Sequence, residues 1–328
     1  MRVLLWHVHG SWTTALVQGD HEYLVPVTPD RGADGRGRAQ TWDWPASVTE
    51  LSPPELRDAA FDIVLLQRPH ELEKLCEAWT GRRPGRDVPA VYVEHNAPQG
   101  PIADMRHPAA DRDDLTVAHV THFNALFWDT GSTASRVIEH GIIDPGHRYS
   151  GQLARAAVVI NEARRRARVT GTDLLGRFAA AAPLDLFGMD AENIPMPTAS
   201  PWLAQVAWRN GSRSHGDVPQ ARMHDELALR RVYLHPIRWT SLGLSLLEAM
   251  HLGMPVVALA TTEAAEAIPA RAGVTSTSVD VLADALRGFV ADPDRAREAG
   301  LAAREAALER YGLGRFLADW DALLEEVA

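Results

Sequence analysis

The chain has a single cysteine, Cys76, so an internal disulfide is excluded and a reducing compartment fits. It has no excess of positive charge. The 33 Lys and Arg residues are outnumbered by 43 Asp and Glu, for a formal net charge of −10 at pH 7, which argues against nucleic acid as the main partner. No apolar run reaches transmembrane length, and the opening MRVLLWHVHGS is too short an apolar stretch for a signal peptide. A GxGxxG turn is missing, so no dinucleotide site is read, and without a P-loop kinase-type phosphate chemistry has no sequence support. No aspartate-rich metal triad is visible either. What is present is enough apolar material for two cores: 328 residues, 46% apolar, more than one domain normally fills.

The chain is organised around VYLHPIRWTSLGLSLLEAMHLGMPVVAL, residues 232–259. A short apolar strand breaks at Pro236, a helix starts near Leu242, and a second strand runs from Pro255 to Leu259. That is the spacing of a crossover unit in a parallel sheet. Glu248 stands out within it, a carboxylate among Leu244, Leu246, Leu247, Ala249, Met250 and Leu252. A helix apolar on nearly all sides is buried, and a buried carboxylate is costly until something satisfies it. Ligand hydroxyls are the favoured partner, with a neighbouring arginine such as Arg238 as the alternative. Ser241 and Gly243 supply a small-residue entry whose free backbone N–H groups suit a diphosphate.

Ahead of this unit, apolar strands are expected at residues 3–8, 23–27, 61–66, 88–93 and 115–120. The first leads into His9-Gly10-Ser11 and a helix with Ser11 or Thr13 as N-cap; such a turn is suited to seating a ligand at a sheet edge. The fourth delivers Glu94-His95-Asn96, and ionisable residues at the carboxyl end of a parallel strand mark His95 as a candidate. His119 and His122 are weaker candidates. Trp42 and Trp44 follow a Gly/Asp/Arg loop and either stack on a sugar or pin that loop down. A second domain is expected near Leu153, with NEARRRAR (residues 161–168) after its first strand. In an acidic chain that arginine run suggests phosphate. Periodicity is lost from Asp190 to about Asp225, where a helix to Arg230 is expected; Trp202 and Trp208 in this gap form helix faces or flank a base.

The 232–259 unit resembles the donor-nucleotide motif of GT-B glycosyltransferases, retaining family 4 in particular. The matching residues are Glu248-Ala249-Met250 and Gly253-Met254-Pro255-Val256-Val257-Ala258. The chain's bias toward Ala, Arg, Asp and Gly has an actinobacterial character. The resemblance implies a GT-B fold, two Rossmann-like α/β/α domains with parallel sheets facing across a cleft. It divides the chain into an acceptor-side domain (1–152), a nucleotide-sugar domain (153–310) and a C-terminal helix (311–328) packing back on the first domain. It implies a hexosyltransferase-type enzyme that moves a sugar from a nucleoside-diphosphate sugar, UDP- or GDP-linked, to an acceptor, with retention and without a metal or a permanently bound cofactor. The acceptor is a small molecule, a glycan or a lipid-linked compound, and the location cytoplasmic, extending to weak association with the inner face of the membrane.

By the same resemblance Glu248 binds the ribose hydroxyls, and Arg164, Arg165 and Arg238 with the Thr240-Ser241-Leu242-Gly243 turn hold the diphosphate. Glu266 lies near the donor sugar, and His95, Gly10 and Ser11 position sugar and acceptor. The chain departs from the pattern at Thr240, where the family has its first glutamate, at Thr170, where it has lysine, and in the glycines ahead of Glu266. A sugar-nucleotide epimerase on the same scaffold, or a non-catalytic homologue, is the alternative reading.

Overall fold

The computed structural model describes residues 1–193 and 211–328; Trp202 and Trp208 lie outside them. The chain forms two units, Met1–Ile143 with Gly312–Ala328, and Asp144–Tyr311. Among the described residues no helix is long and apolar enough to cross a membrane.

In the first unit the five apolar runs become β1 (Arg2–Leu5), β2 (Glu22–Pro26), β4 (Ile63–Leu66), β5 (Ala90–Glu94) and β6 (Thr116–His119), and two less apolar strands join them at the sheet's ends, β3 (Val48–Leu51) and β7 (Ala134–Val137). They form one parallel sheet in the order β3-β2-β1-β4-β5-β6-β7. Strands covered on both faces read as unbroken apolar runs, and all four residues of β4 are buried. The crossovers carry α1 (Gly10–Leu16), α2 (Pro53–Asp58), α3 (Cys76–Thr80) and α4 (His122–Phe127). Helix α2 starts where Ser52 and Glu55 form a capping box and Pro53 opens the first turn. Leu4, Trp6, Leu24, Leu56, Val64, Leu66 and Tyr92 pack into one core. The C-terminal helix (Leu313–Val327) completes this unit, burying Phe316, Trp320, Leu323 and Leu324. Trp12 of α1 meets the Trp320 ring edge-on at 5.6 Å between centroids.

The second unit repeats the design with β8 (Leu153–Val159), β9 (Leu184–Phe187), β10 (Arg213–Gly216), β11 (Arg230–His235), β12 (Val256–Leu259) and β13 (Gly273–Ser276). Its parallel order is β10-β9-β8-β11-β12-β13. The helices are α5 (Ala163–Arg166), α6 (Leu175–Ala181), α7 (Gln220–Leu229), α8 (Leu244–Leu252), α9 (Ala264–Ala267), α10 (Val279–Ala291) and α11 (Pro293–Tyr311). The segment ahead of β8 belongs to this unit. The N–H groups of Arg148 and Tyr149 donate to Leu252 O, and Arg304 pairs with Asp144 at 2.7 Å.

Two local expectations are corrected. The described part of the stretch before Asp225, from residue 211, is not irregular: it holds β10 and the first half of α7, which starts at Gln220 rather than Asp225. Only His224, Leu227 and Ala228 of α7 are buried, too few apolar positions to announce its first turn. Helix α1 starts at Gly10 with His9 at the N-cap and no side-chain cap, so neither Ser11 nor Thr13 caps it.

The loops after β8 and β11 meet at Gly171, which has φ +70°; a Cβ there would lie 1.9 Å from the Pro236 carbonyl oxygen. Gly171→Ala should therefore destabilise the second unit by at least about 2 kcal/mol, from left-handed strain plus a backbone clash. Urea unfolding checks this, and a midpoint equal to wild type would show that the two loops can separate at no cost.

Candidate functional site

In each sheet the strand order reverses once, between β1 and β4 in the first unit and between β8 and β11 in the second. Loops leaving the carboxyl ends of two such strands diverge and leave a crevice, the usual ligand position in open parallel sheets. In the second unit those loops are residues 160–171 and 236–243. They are tied together: Arg238 N and Trp239 N donate to Val169 O at 2.8 and 3.2 Å, and the Arg238 guanidinium donates to Arg168 O. Backbone strain gathers on this edge. Glu162, Ala167, Asp190 and Thr262 all have positive φ, and each lies in a loop following β8, β9 or β12. Such conformations cost energy for side chains with a Cβ, most of all for β-branched Thr262, and persist where surrounding structure enforces them.

The arginines separate by partner. Arg238 forms a fork with Asp173, Nη1 to Oδ1 at 2.5 Å and Nη2 to Oδ2 at 2.8 Å, so it is not the partner of Glu248. Arg168 also pairs with Asp173, at 3.0 Å. Arg165 is exposed and pairs with Glu162, Nε to Oε1 at 2.8 Å, while Arg164 is exposed on α5. Arg166 differs: it is half-buried, burial and the neighbouring Arg165 charge lower its pKa, and no ion-pair partner is found among the described residues. The chain's one lysine, Lys74, is in the first unit, so a strong cation on this edge has to be arginine.

The Thr240-Ser241-Leu242-Gly243 turn leads into α8 with Ser241 and Leu242 buried and Thr240 half-buried. Gly243 is the N-cap and provides no side chain; the Leu246 N–H turns back to Gly243 O at 3.0 Å, so the N–H groups of Leu244 and Ser245 are the ones placed to meet an anion. A Cβ on Gly243 would lie 2.7 Å from His235 Cε1, so the ring of His235 packs directly beneath this turn.

Glu248 is 3% exposed. Its Oε1 accepts from Gln220 Nε2 at 2.7 Å and its Oε2 from His224 Nε2 at 3.2 Å, both on α7. The arginine alternative for Glu248 is thus corrected: an amide and an imidazole satisfy it. Glu266 on α9 is exposed, whereas Glu263 beside it is buried and pairs with Arg310 at 3.1 Å. Thr261 and Thr262 do not cap α9; its N-cap is Glu263, and Thr261 Oγ1 donates to Ile237 O.

In the first unit, His95 packs against His9 and Trp12, the residues that flank Gly10 and Ser11 in sequence. His95 stacks on His9 at 4.0 Å between centroids and meets Trp12 at 4.8 Å. A Cβ on Gly10 would lie 2.7 Å from the ring of Trp42. Trp44 is buried, donates Nε1–H to Thr14 Oγ1 at 2.9 Å and packs on His7, so it pins its loop to the domain. His119 is buried with its pKa lowered to about 4 by burial and by His107, whereas His122 is exposed. Gln220, His224, Arg310 and the strained Thr262 carried no sequence signal of their own. Only the four-residue spacing of Gln220 and His224, one face of a helix, was open to reading.

Solved structures share this architecture across the whole chain. Sucrose-phosphate synthase from Thermosynechococcus elongatus superposes with TM-score 0.73 at 14% identity, over 99% of this chain and 98% of that one. This is the GT-B fold. HepE of Anabaena, solved in complex with UDP, gives 0.69 at 14% identity over 99% and 100%. A glycosyltransferase involved in avilamycin A biosynthesis gives 0.63 at 17% identity over 100% and 98%. Residues 182–292, which span Glu248 and the β11–α8–β12 unit, match the family model described as "Glycosyl transferases group 1". No curated protein matches the chain.

In the first unit of this GT-B fold, one buried histidine makes stability depend on pH. His140 is buried with neither ring nitrogen partnered among the described residues. Burial, then the charges of His9 and Arg315, lower its pKa to about 3. The unfolded chain takes up this proton from about pH 6.5 downward while the folded one resists, so stability falls as pH falls. Between pH 7 and 5 His140 alone should cost about 2 kcal/mol. His140→Leu should flatten the fall of Tm over that range without loss of stability at pH 7.5, since no hydrogen bond is broken. An unchanged slope in His140→Leu would place the titration elsewhere.

Proposed function

We propose that this protein is a glycosyltransferase that moves a hexose from a nucleoside-diphosphate sugar to an acceptor hydroxyl. The observation that carries the reading is the placement of Glu248, the free helix start at Gly243 and the arginine-bearing loop around the β8/β11 switch point. The family match over residues 182–292 supports it. Glu248 would hold the ribose. The diphosphate would lie against the N–H groups of the 240–243 turn and Arg166, with Arg164 and Arg165 reaching from α5 and Arg238 bracing the turn through Asp173. A half-buried guanidinium without an ion partner among the described residues gains most from a dianionic ligand, which makes Arg166 the main counter-charge. Neutralising the departing diphosphate lowers the barrier to breaking the sugar bond.

UDP is the first nucleotide to test, because HepE was solved with UDP and with UDP and glucose. On the acceptor side His95, packed against His9 and edge-on to Trp12, would contact the sugar together with Gly10 and Ser11 and as a neutral imidazole, since burial holds its pKa well below the ordinary value. Retention at the anomeric carbon and a cytoplasmic setting complete the proposal, with a small-molecule, glycan or lipid-linked acceptor. Glu266 would reach the donor sugar from α9. One observation favours the non-catalytic alternative. Thr240 replaces the carboxylate the family places by the sugar, and the buried Glu263 nearby is already paired with Arg310.

Calorimetric titration with UDP, GDP and ADP should find one that binds in the micromolar range. Glu248→Gln and Arg166→Ala should each weaken it about 10-fold or more, the size of a lost charge-assisted contact. The bound nucleotide's sugar conjugates should then be consumed in an acceptor screen. Failure of all three to bind would end the transferase reading, whereas binding without turnover would favour the non-catalytic homologue.

A further inference from the structure

Gln220 and His224 are four residues apart on α7, so they face the same way one turn apart. Both aim at Glu248, one at each carboxylate oxygen. Gln220 is half-buried at the first position of the helix, and His224 is buried. An ionised carboxylate offers about four acceptor positions, two on each oxygen. The amide N–H of Gln220 takes one on Oε1 and the Nε2–H of His224 takes one on Oε2. One acceptor position remains on each oxygen, and a vicinal pair of hydroxyls is the ligand that fills two such positions side by side.

We infer that Gln220 and His224 are positioning residues that make this site select a ribonucleoside diphosphate over its 2′-deoxy counterpart. The inference rests on the reading of Glu248 as the ribose-binding residue. With either donor removed, the carboxylate has a free acceptor position on the inward side and can turn to use it differently. The bidentate geometry toward the two hydroxyls is then lost. A site built around two hydroxyl donors rejects an analogue that lacks one, because a buried acceptor is left unmatched. Loosening the carboxylate relaxes that rejection while the diphosphate contacts stay as they are.

The test is calorimetric titration of UDP and 2′-deoxy-UDP, with the guanosine and adenosine pairs run alongside. Wild type should prefer the ribose form by about 10-fold or more. Gln220→Ala and His224→Ala should each bring that ratio down at least about 5-fold, mostly through weaker binding of the ribose form. His224→Gln, which keeps an amide donor, should recover most of the preference. Circular dichroism of each variant separates this effect from misfolding, and if His224→Ala does not fold, Gln220→Ala carries the test alone. A wild-type ratio retained in the folded variants overturns the positioning role and reduces the contacts to packing. A ratio near one in wild type, or one unchanged in Glu248→Gln, overturns the ribose reading itself and the inference with it.

Discussion

The second unit depends on one close approach, the backbone of Gly171 pressed against the carbonyl of Pro236. Two parallel strands whose crossovers run to opposite sides leave their loops free to separate. Here they are held by a glycine whose site leaves no room for a Cβ, by two N–H donors into Val169 O, and by the Arg238–Asp173 fork. Arg238 therefore acts as a strut for a loop pair, whereas Arg166, on the other of the two loops, is half-buried with no ion-pair partner among the described residues. Glu162 and Ala167 hold positive φ within the first of these coupled loops, a conformation that persists only where surrounding structure enforces it.

Buried polar groups are handled in two ways. In the second unit carboxylates are matched. Asp185 is pushed up by burial, but Arg155 and Arg230 outweigh this and bring its pKa below the ordinary value. Glu263 has Arg310, and Glu248 has Gln220 and His224. In the first unit the histidines at the sheet edge are kept neutral by desolvation, and His9 and His140 are driven to about 4 and 3. The first arrangement fixes each carboxylate between donors on neighbouring elements. The second leaves imidazoles that contact without charge, and ties the domain's stability to pH.

The inner parallel strands were legible because burial on both faces writes them as apolar runs, as at Ile63–Leu66 and Val256–Leu259, whereas β3, β7 and β10, which end the sheets and are less buried, were not. Glu248 was legible for the opposite reason, a charge where the pattern allows none. Its partners were not, since Gln220 and His224 lie more than twenty residues earlier, in a segment whose glycines and polar residues hide the start of α7. Arg238 shows the same limit. Its chemistry suggested an anionic partner, but whether that was phosphate, Glu248 or Asp173 depends on a contact 65 residues away in sequence. The positive φ of Thr262 left no trace, because threonine is not a residue from which that conformation is expected.

The first unit is built from two stretches of chain, and the second is a continuous segment lying between them in sequence. Its order of synthesis follows. Residues 144–311 are all available to pack before the first unit has received Phe316 and Trp320, the side chains that close against Trp12. Until those last residues leave the ribosome, the edge carrying Gly10, Ser11 and His95 has part of its apolar support missing, while the Glu248 edge can already be complete. The two halves of the proposed chemistry thus mature at different moments. A chain stalled before Phe316 would be expected to complete the Glu248 edge before the His95 edge.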